Sequence, residues 1–214
     1  MPEETAGPYP GDGSNSASGS VVNVLNLSGV VRSDIRTSIG SYSGTAAGVQ
    51  LTLTITLVNT NLGCTPLSGY AIYLWHCNRD GNYSLYSITT ENYLRGVQVT
   101  DANGQVTFTT IVPACYSGRM PHIHIEVYPS LSVATSYTNK IKTTQFAIDR
   151  DFCTTFYASA TGYSSSVTNL SAITFATDNV FSDDTSAQLA ASTILPTGSI
   201  SAGYTGSIQL GMAL

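Results

Sequence analysis

The segment Cys115-Tyr-Ser-Gly-Arg-Met-Pro-His-Ile-His-Ile-Glu-Val127 holds the side chains most able to do chemistry. Successive residues of a strand point to opposite faces, so His122 and His124 share one face while Ile123, Ile125 and Val127 share the other. One face suits an apolar core, and the other offers two imidazoles to a single metal ion from a rigid element. The same spacing also fits two hydrogen-bonded histidines on a solvated strand face. Tyr116 and Arg119 weigh toward the metal, because a phenolate is a hard anionic oxygen donor suited to a trivalent ion. A free tyrosine has a pKa of about 10, so a phenolate at neutral pH needs a strong positive charge beside it. Fe(III) supplies such a charge.

These residues need strands and turns to hold them. Val49 to Val58 alternates Val49, Leu51, Leu53, Ile55 and Leu57 with Gln50, Thr52, Thr54 and Thr56, the period of a half-buried strand. Further strand-like runs are Tyr70 to Cys77, Gly96 to Thr100, Gln105 to Ile111, His122 to Tyr128, Thr143 to Ile148 and Ser171 to Ala176. Asp80-Gly81 and Asn103-Gly104 are tight-turn dipeptides, and Pro113, Pro121 and Pro129 punctuate the rest. Helical periodicity is confined to a short piece, Arg150 to Tyr157. The expected fold is therefore all-β, a β-sandwich with long loops and little helix. Residues 1–20, rich in Gly, Ser and Pro, are expected as a flexible arm lying extended over the surface, with residues 21–214 as one catalytic domain.

Bulk composition narrows the partners. Only 10% of residues are charged, the net charge is −5, and the eight Lys and Arg form no cluster, which argues against a nucleic-acid partner. No apolar run reaches the roughly 18 to 20 residues that span a bilayer, so no membrane partner is expected. The four cysteines, Cys64, Cys77, Cys115 and Cys153, contain no C-x-x-C pair and read as two disulfides, which implies an oxidising compartment. Met1-Pro2-Glu3-Glu4 has neither a basic nor an apolar leader region, so the expectation is a mature secreted segment whose signal has been removed. A homo-oligomer is left open.

Tyr116, Arg119-x-x-His122-x-His124 and the upstream run Leu74-Trp75-His76-Cys77-Asn78-Arg79-Asp80-Gly81-Asn82-Tyr83-Ser84 together resemble the intradiol ring-cleavage dioxygenases, which act on catechol, hydroxyquinol and protocatechuate. The resemblance starts at Gly7-Pro8-Tyr9 and extends to Thr144-Gln145-Phe146, more than half of the chain. It departs from the family in two places: the Tyr116 to His122 spacing is shorter than in protocatechuate dioxygenases, and the long helical N-terminal dimerisation region of catechol dioxygenases is absent. Both departures, with the cysteines, point to a smaller secreted branch.

The resemblance implies one non-haem Fe(III) ion held by Tyr83, Tyr116, His122 and His124, and a small aromatic diol and O₂ as substrates. It implies that the diol gives up both protons on binding, one of them to Tyr116, and that ring opening yields a cis,cis-muconate-type dicarboxylate. Arg119 is then expected to stabilise negative charge developing on the ring. Gln145 is expected to line the pocket, where its amide could hydrogen-bond a ligand. His76, Tyr73 and Trp75 read as structural or packing residues. Two rival readings remain. A cupin-like metal enzyme would use His122, His124 and Glu126 from one strand face, although cupins need a wider gap before the Glu and a distant third His. A secreted non-catalytic β-sandwich binding module would use exposed tyrosines and no metal.

Overall fold

A computed structural model describes residues 1–214. Its strands are β1 (Asp12–Ala17), β2 (Ser20–Asn23), β3 (Gln50–Asn59), β4 (Thr65–Pro66), β5 (Ala71–Trp75), β6 (Arg95–Val99), β7 (Gln105–Ile111), β8 (His122–Tyr128), β9 (Lys142–Ile148), β10 (Thr193–Ile194), β11 (Thr197–Ser199) and β12 (Gly203–Met212). Three short helices follow β9 in the sequence: α1 (Arg150–Ser159), α2 (Ser164–Ser171) and α3 (Ser186–Ser192). One five-stranded sheet runs in the order β10-β9-β8-β5-β6, and a second runs β11-β12-β3-β4 with β7 also paired to β3. A separate hairpin joins β1 to β2.

The two sheets pack face to face because each carries an apolar row. Leu51, Leu53, Ile55 and Leu57 of β3 are fully buried against Ile72 and Leu74 of β5, Ile123, Ile125 and Val127 of β8, and Phe146 of β9, in one continuous core. Each such side chain contributes about 1.5–3 kcal/mol by leaving water. The opposite face of the first sheet is covered as well. Tyr73 and Trp75 of β5 pack there with Val24, Leu25, Tyr83 and Leu85 in a second, smaller cluster. Every residue of β8 is therefore buried, His122, His124 and Glu126 included. The imidazole face of this strand is thus no solvated surface.

The covering layer is supplied largely by the N-terminal segment. Pro10, Gly11 and Asp12 are buried, and the main chain of this segment is fastened by Arg95, whose five N–H groups all find neutral acceptors. Arg95 donates to the carbonyls of Tyr9 and Pro10, to the Ser84 hydroxyl and carbonyl, and to Tyr73 Oη. The stretch expected as a loose arm thus contains β1 and roofs one sheet.

Three expectations are corrected. Ser171 to Ala176 is no strand: Ser171 closes α2, and a 3₁₀ turn spans Phe175–Thr177. Leu170 and Ile173, three residues apart, are both buried, and Thr174 and Thr177 cap each other across the turn, so local hydrogen bonds take the place of a ladder. Helix extends beyond Arg150 to Tyr157, since α2 is built from Ser-rich and α3 from Ala-rich sequence, each too short and with too few large apolar residues to betray it; α3 is held by a Thr185–Gln188 capping box. The cysteines, finally, are all free thiols and form neither of the two expected disulfides. Cys64 is exposed, while Cys77 and Cys115 are buried and direct their thiols to the carbonyls of Ala114 and Arg119. Burial pushes both thiols up to about 12, so they behave as small apolar groups. The cysteine argument for an oxidising compartment goes with the disulfides.

Candidate metal centre

Four side chains from three separate segments meet on the roofed face of the first sheet. Tyr83 Oη lies 3.2 Å from His122 Nε2 and 3.0 Å from His124 Nε2. Tyr116 Oη lies 3.3 Å from His122 Nε2, and the two imidazole Nε2 atoms are 3.1 Å apart. All four residues proposed from the sequence as ligands are brought together.

Local structure explains each placement. Tyr83 is delivered by the turn after β5: Asn78 Oδ1 accepts from the N–H groups of Asp80 and Asn82, and Asn78 N–H donates to the Asn82 carbonyl. Gly81 sits in this turn at φ +84°, and a Cβ there would stand 2.9 Å from Tyr116 Cβ, so only glycine allows the two tyrosine-bearing loops to approach. Tyr116 is set by α2, which grips its neighbour Cys115 from both sides: Cys115 N–H donates to Ser166 Oγ, and Asn169 Nδ2 donates to the Cys115 carbonyl. His122 Nδ1 donates to the Met120 carbonyl at 2.6 Å, which leaves the lone pair on the inward Nε2. His124 Nδ1 has no hydrogen-bond partner in the protein. Its ring is held instead by Trp75, its direct neighbour across β5 and β8.

Electrostatics favour neutral rings. Burial pushes the His122 imidazole down to about 3, with the Arg119 cation acting in the same direction. Burial, then the neighbouring His122 and Arg119, hold His124 well below the usual range. Burial likewise holds Tyr83 well above the ordinary phenol range and raises Tyr116. Two bare imidazole nitrogens and two phenol oxygens in a dry setting form a donor set that becomes favourable when a cation stands among them. Bonds of about 2 Å to one ion place neighbouring donors about 3 Å apart, and each of these four lies 3.0–3.3 Å from at least one other. The fit to a ferric ion is chemical as well as spatial: two phenolates with two neutral imidazoles suit a hard trivalent cation. No group of three or more His, Cys, Asp and Glu side chains gathers anywhere to hold a metal, so the tyrosines are indispensable to this donor set.

Arg119 is buried beside the donors, with Nη1 3.4 Å from His122 Nε2. Its Nη2 donates to Gln145 Oε1 at 2.7 Å, and Gln145 Nε2 donates onward to the Thr5 carbonyl. Gln145 thus supports Arg119 and the N-terminal segment. Glu126 is turned to other work: its carboxylate accepts from Tyr128 Oη and Lys140 Nζ, which leaves the two histidines without the carboxylate that a cupin-like site would need. Sequence reasoning missed Asp178, whose carboxylate takes Arg119 Nε at 3.0 Å from 59 residues away. Tyr9 and Gly7, matched by the resemblance without a firm site role, also lie at the site. Tyr9 packs its ring on Tyr83 at 4.9 Å, and a Cβ at Gly7 (φ +67°) would stand 3.2 Å from His124 Cε1.

Fold and site together define a class: an all-β sandwich with a paired phenol and imidazole donor cluster buried on the outer face of one sheet. A family model described as a dioxygenase matches residues 32–151, and the chain belongs to the family of intradiol ring-cleaving dioxygenases. The chlorocatechol 1,2-dioxygenase of Rhodococcus opacus is 32% identical over 84 residues, 29% of this chain. The chain covers only 33% of that curated relative's length. An intradiol ring-cleavage dioxygenase from Tetranychus urticae superposes with a TM-score of 0.68 at 25% identity, over 86% of this chain and 87% of that one. The dioxygenase domain of a carbohydrate-binding fusion protein from Streptomyces sp. SirexAA-E shares the fold, with a TM-score of 0.58 at 20% identity over 100% and 97% of the two chains.

Proposed function

We propose that this chain opens the ring of catechol-type diols between the two hydroxyl-bearing carbons, adding both atoms of O₂, with a ferric ion held by Tyr83, Tyr116, His122 and His124. The observation that carries the reading is the convergence of two phenol oxygens and two imidazole nitrogens, each within 3.0–3.3 Å of at least one other. A ferric ion bound there supplies the Lewis acidity that makes phenolates of the tyrosines and draws electron density from a chelating diol.

The chain's own residues divide the remaining tasks. His122, fixed by the Met120 carbonyl, and Tyr83, fully buried, are the rigid members of the set. Tyr116 is the donor left partly exposed, at the open side of the site, so its oxygen is the one placed to take a proton from an incoming diol. Arg119 Nη1 presents a fixed positive charge beside the donors, where negative charge grows on the ring during oxygen attack. Gln145 Oε1 holds the other arm of that guanidinium. Burial of β8 on both faces keeps bulk water from the two imidazoles.

The test is reconstitution with iron followed by oxygen-uptake assays on catechol, hydroxyquinol, protocatechuate and larger plant phenolic diols. The expected result is a burgundy protein with broad visible absorption that consumes one O₂ per diol and releases a ring-opened dicarboxylate. A colourless protein that retains no iron defeats the metal reading. An iron-loaded, coloured protein that turns over no diol defeats the substrate reading.

A further inference from the structure

Arg119 is held by two side-chain acceptors. Gln145 Oε1 takes Nη2 at 2.7 Å and Asp178 Oδ2 takes Nε at 3.0 Å, which leaves Nη1 to face His122 Nε2. Asp178 is the only carboxylate paired with this arginine, and it is completely buried. It is also firmly anchored. Its Oδ2 accepts a second bond from Met120 N–H at 2.6 Å, and its Oδ1 accepts from Val180 N–H at 2.8 Å and Phe181 N–H at 3.2 Å. The Phe181 ring lies under the Arg119 guanidinium, 5.9 Å from its centroid to Cζ.

The Met120 bond adds a second link. The Met120 N–H lies in the peptide that joins Arg119 to Met120, so one carboxylate steadies both the guanidinium and the backbone that carries it. Burial by itself would push this carboxyl up, yet the Arg119 charge and the Met120 and Val180 N–H groups hold it below the usual carboxylate range. The acid is therefore an anion, and it neutralises an arginine that would otherwise stand buried and unpaired.

We propose that Asp178 is a positioning residue for ring cleavage, one that acts through Arg119 by fixing the direction of Nη1 and cancelling its cost of burial. This rests on the role given above to Arg119. Asp178 lies in the loop between α2 and α3, beyond the residues 32–151 that the family model covers, so the C-terminal part of the chain completes the site built by the central part. An asparagine cannot replace it, because all four donors it receives are N–H groups and an amide turns one of its two edges into a donor.

The experiment compares Asp178→Asn, Arg119→Ala and the double variant, as iron-loaded protein turning over catechol and as metal-free protein by ¹⁵N NMR of the arginine Nε–H groups. Asp178→Asn is expected to lower kcat about 10- to 100-fold, the usual scale for groups that orient a metal site, while KM changes less than about two-fold and colour is retained. The double variant is expected to be no slower than Arg119→Ala, since Asp178 has nothing left to act through. In the metal-free wild type the Arg119 Nε–H signal should be displaced and slow to exchange, and it should collapse toward the free position in Asp178→Asn. Where the Asn variant does not fold, Asp178→Glu, which keeps the charge and moves it by one methylene, is expected to show the same kcat loss. An unchanged kcat in the folded variant, losses that multiply in the double variant, or an unmoved Nε–H signal overturns the proposal. A wild type that shows the displaced signal but no turnover leaves the ion pair standing and refutes the dioxygenase reading instead.

Discussion

Trp75 lies flat against the imidazole of His124, with ring centroids 4.8 Å apart and planes 4° apart. Tyr73 stacks next to the same indole at 4.9 Å. The register of the sheet explains the first contact: Trp75 is the residue paired with His124 across β5 and β8, and Gln145 is paired with His124 on its other side. A row of three adjacent strands thus carries a stacking plate, a proposed ligand and the amide that braces Arg119. Because His124 has no hydrogen bond at Nδ1, packing is what fixes its ring.

Trp75→Leu should therefore weaken iron binding without touching a ligand. A loss of about 10- to 100-fold is expected in competition with a ferric chelator, the range typical of groups that orient a ligand. Trp75→Phe keeps a flat ring and removes an indole N–H that has no partner, so its loss should be smaller. Equal affinities in all three proteins would show that the stack has no orienting role.

Tyr83 and Tyr116 should differ in what their loss does. Tyr83 is fully enclosed and touches both imidazoles, so Tyr83→Phe should abolish iron retention. Tyr116 is partly exposed and its oxygen meets only His122 of the two imidazoles, so Tyr116→Phe should keep part of the iron with an altered visible spectrum. Iron analysis and absorption spectra read both outcomes; full occupancy in Tyr83→Phe would remove that residue from the ligand set.

Arg119→Ala removes the charge facing the ring and should reduce kcat by about 10²- to 10³-fold, the cost of losing one preorganised charge or donor. The four residues proposed as ligands stay, so colour and diol binding should survive. The comparison of turnover with the diol-induced spectral change separates the two effects, and unaltered kcat would leave Arg119 without a part in the reaction.

His76 gives a pH dependence that does not involve the ligands. Its Nδ1 faces the Cys77 carbonyl and its Nε2 the Thr110 hydroxyl, and burial pushes it down to about 4. A histidine with its folded pKa depressed stays neutral in the native state while the unfolded chain takes up a proton near pH 6.5, so stability falls as pH drops through that window toward 4. Between pH 7.5 and 5 the loss from this residue is about 2 kcal/mol. Urea unfolding of the metal-free protein and of His76→Gln, at both pH values, should show a pH sensitivity smaller by that amount in the variant. The buried ligand histidines act on both proteins alike, so equal sensitivities would mean that His76 titrates normally.

The residues that announced themselves did so for physical reasons that act locally. Strict alternation put His122 and His124 on one face of β8, and the Leu and Ile rows of β3 and β8 required two sheets packed face to face. Turn chemistry at Asp80-Gly81 marked the loop that delivers Tyr83, although only the pattern shared with a known family distinguished this tyrosine from twelve others. The helices α2 and α3 stayed hidden because they are short and carry few large apolar residues, Val167 and Leu170 in α2 and Leu189 in α3.

What the chain order could not express is which distant groups meet. Asp178 reaches Arg119 across 59 residues, Trp75 finds His124 only through strand register, and the N-terminal segment becomes a roof because Arg95 offers it a buried donor array. An even number of cysteines suggested disulfides, but whether thiols face one another is set by packing, and here Cys77 and Cys115 face carbonyls. Sequence determined which donors exist and which strand face carries two of them, because strand periodicity is a property of neighbouring residues. Tertiary structure decided how those donors are aimed and what charge surrounds them, because burial and electrostatics depend on everything that packs nearby, however far along the chain it lies.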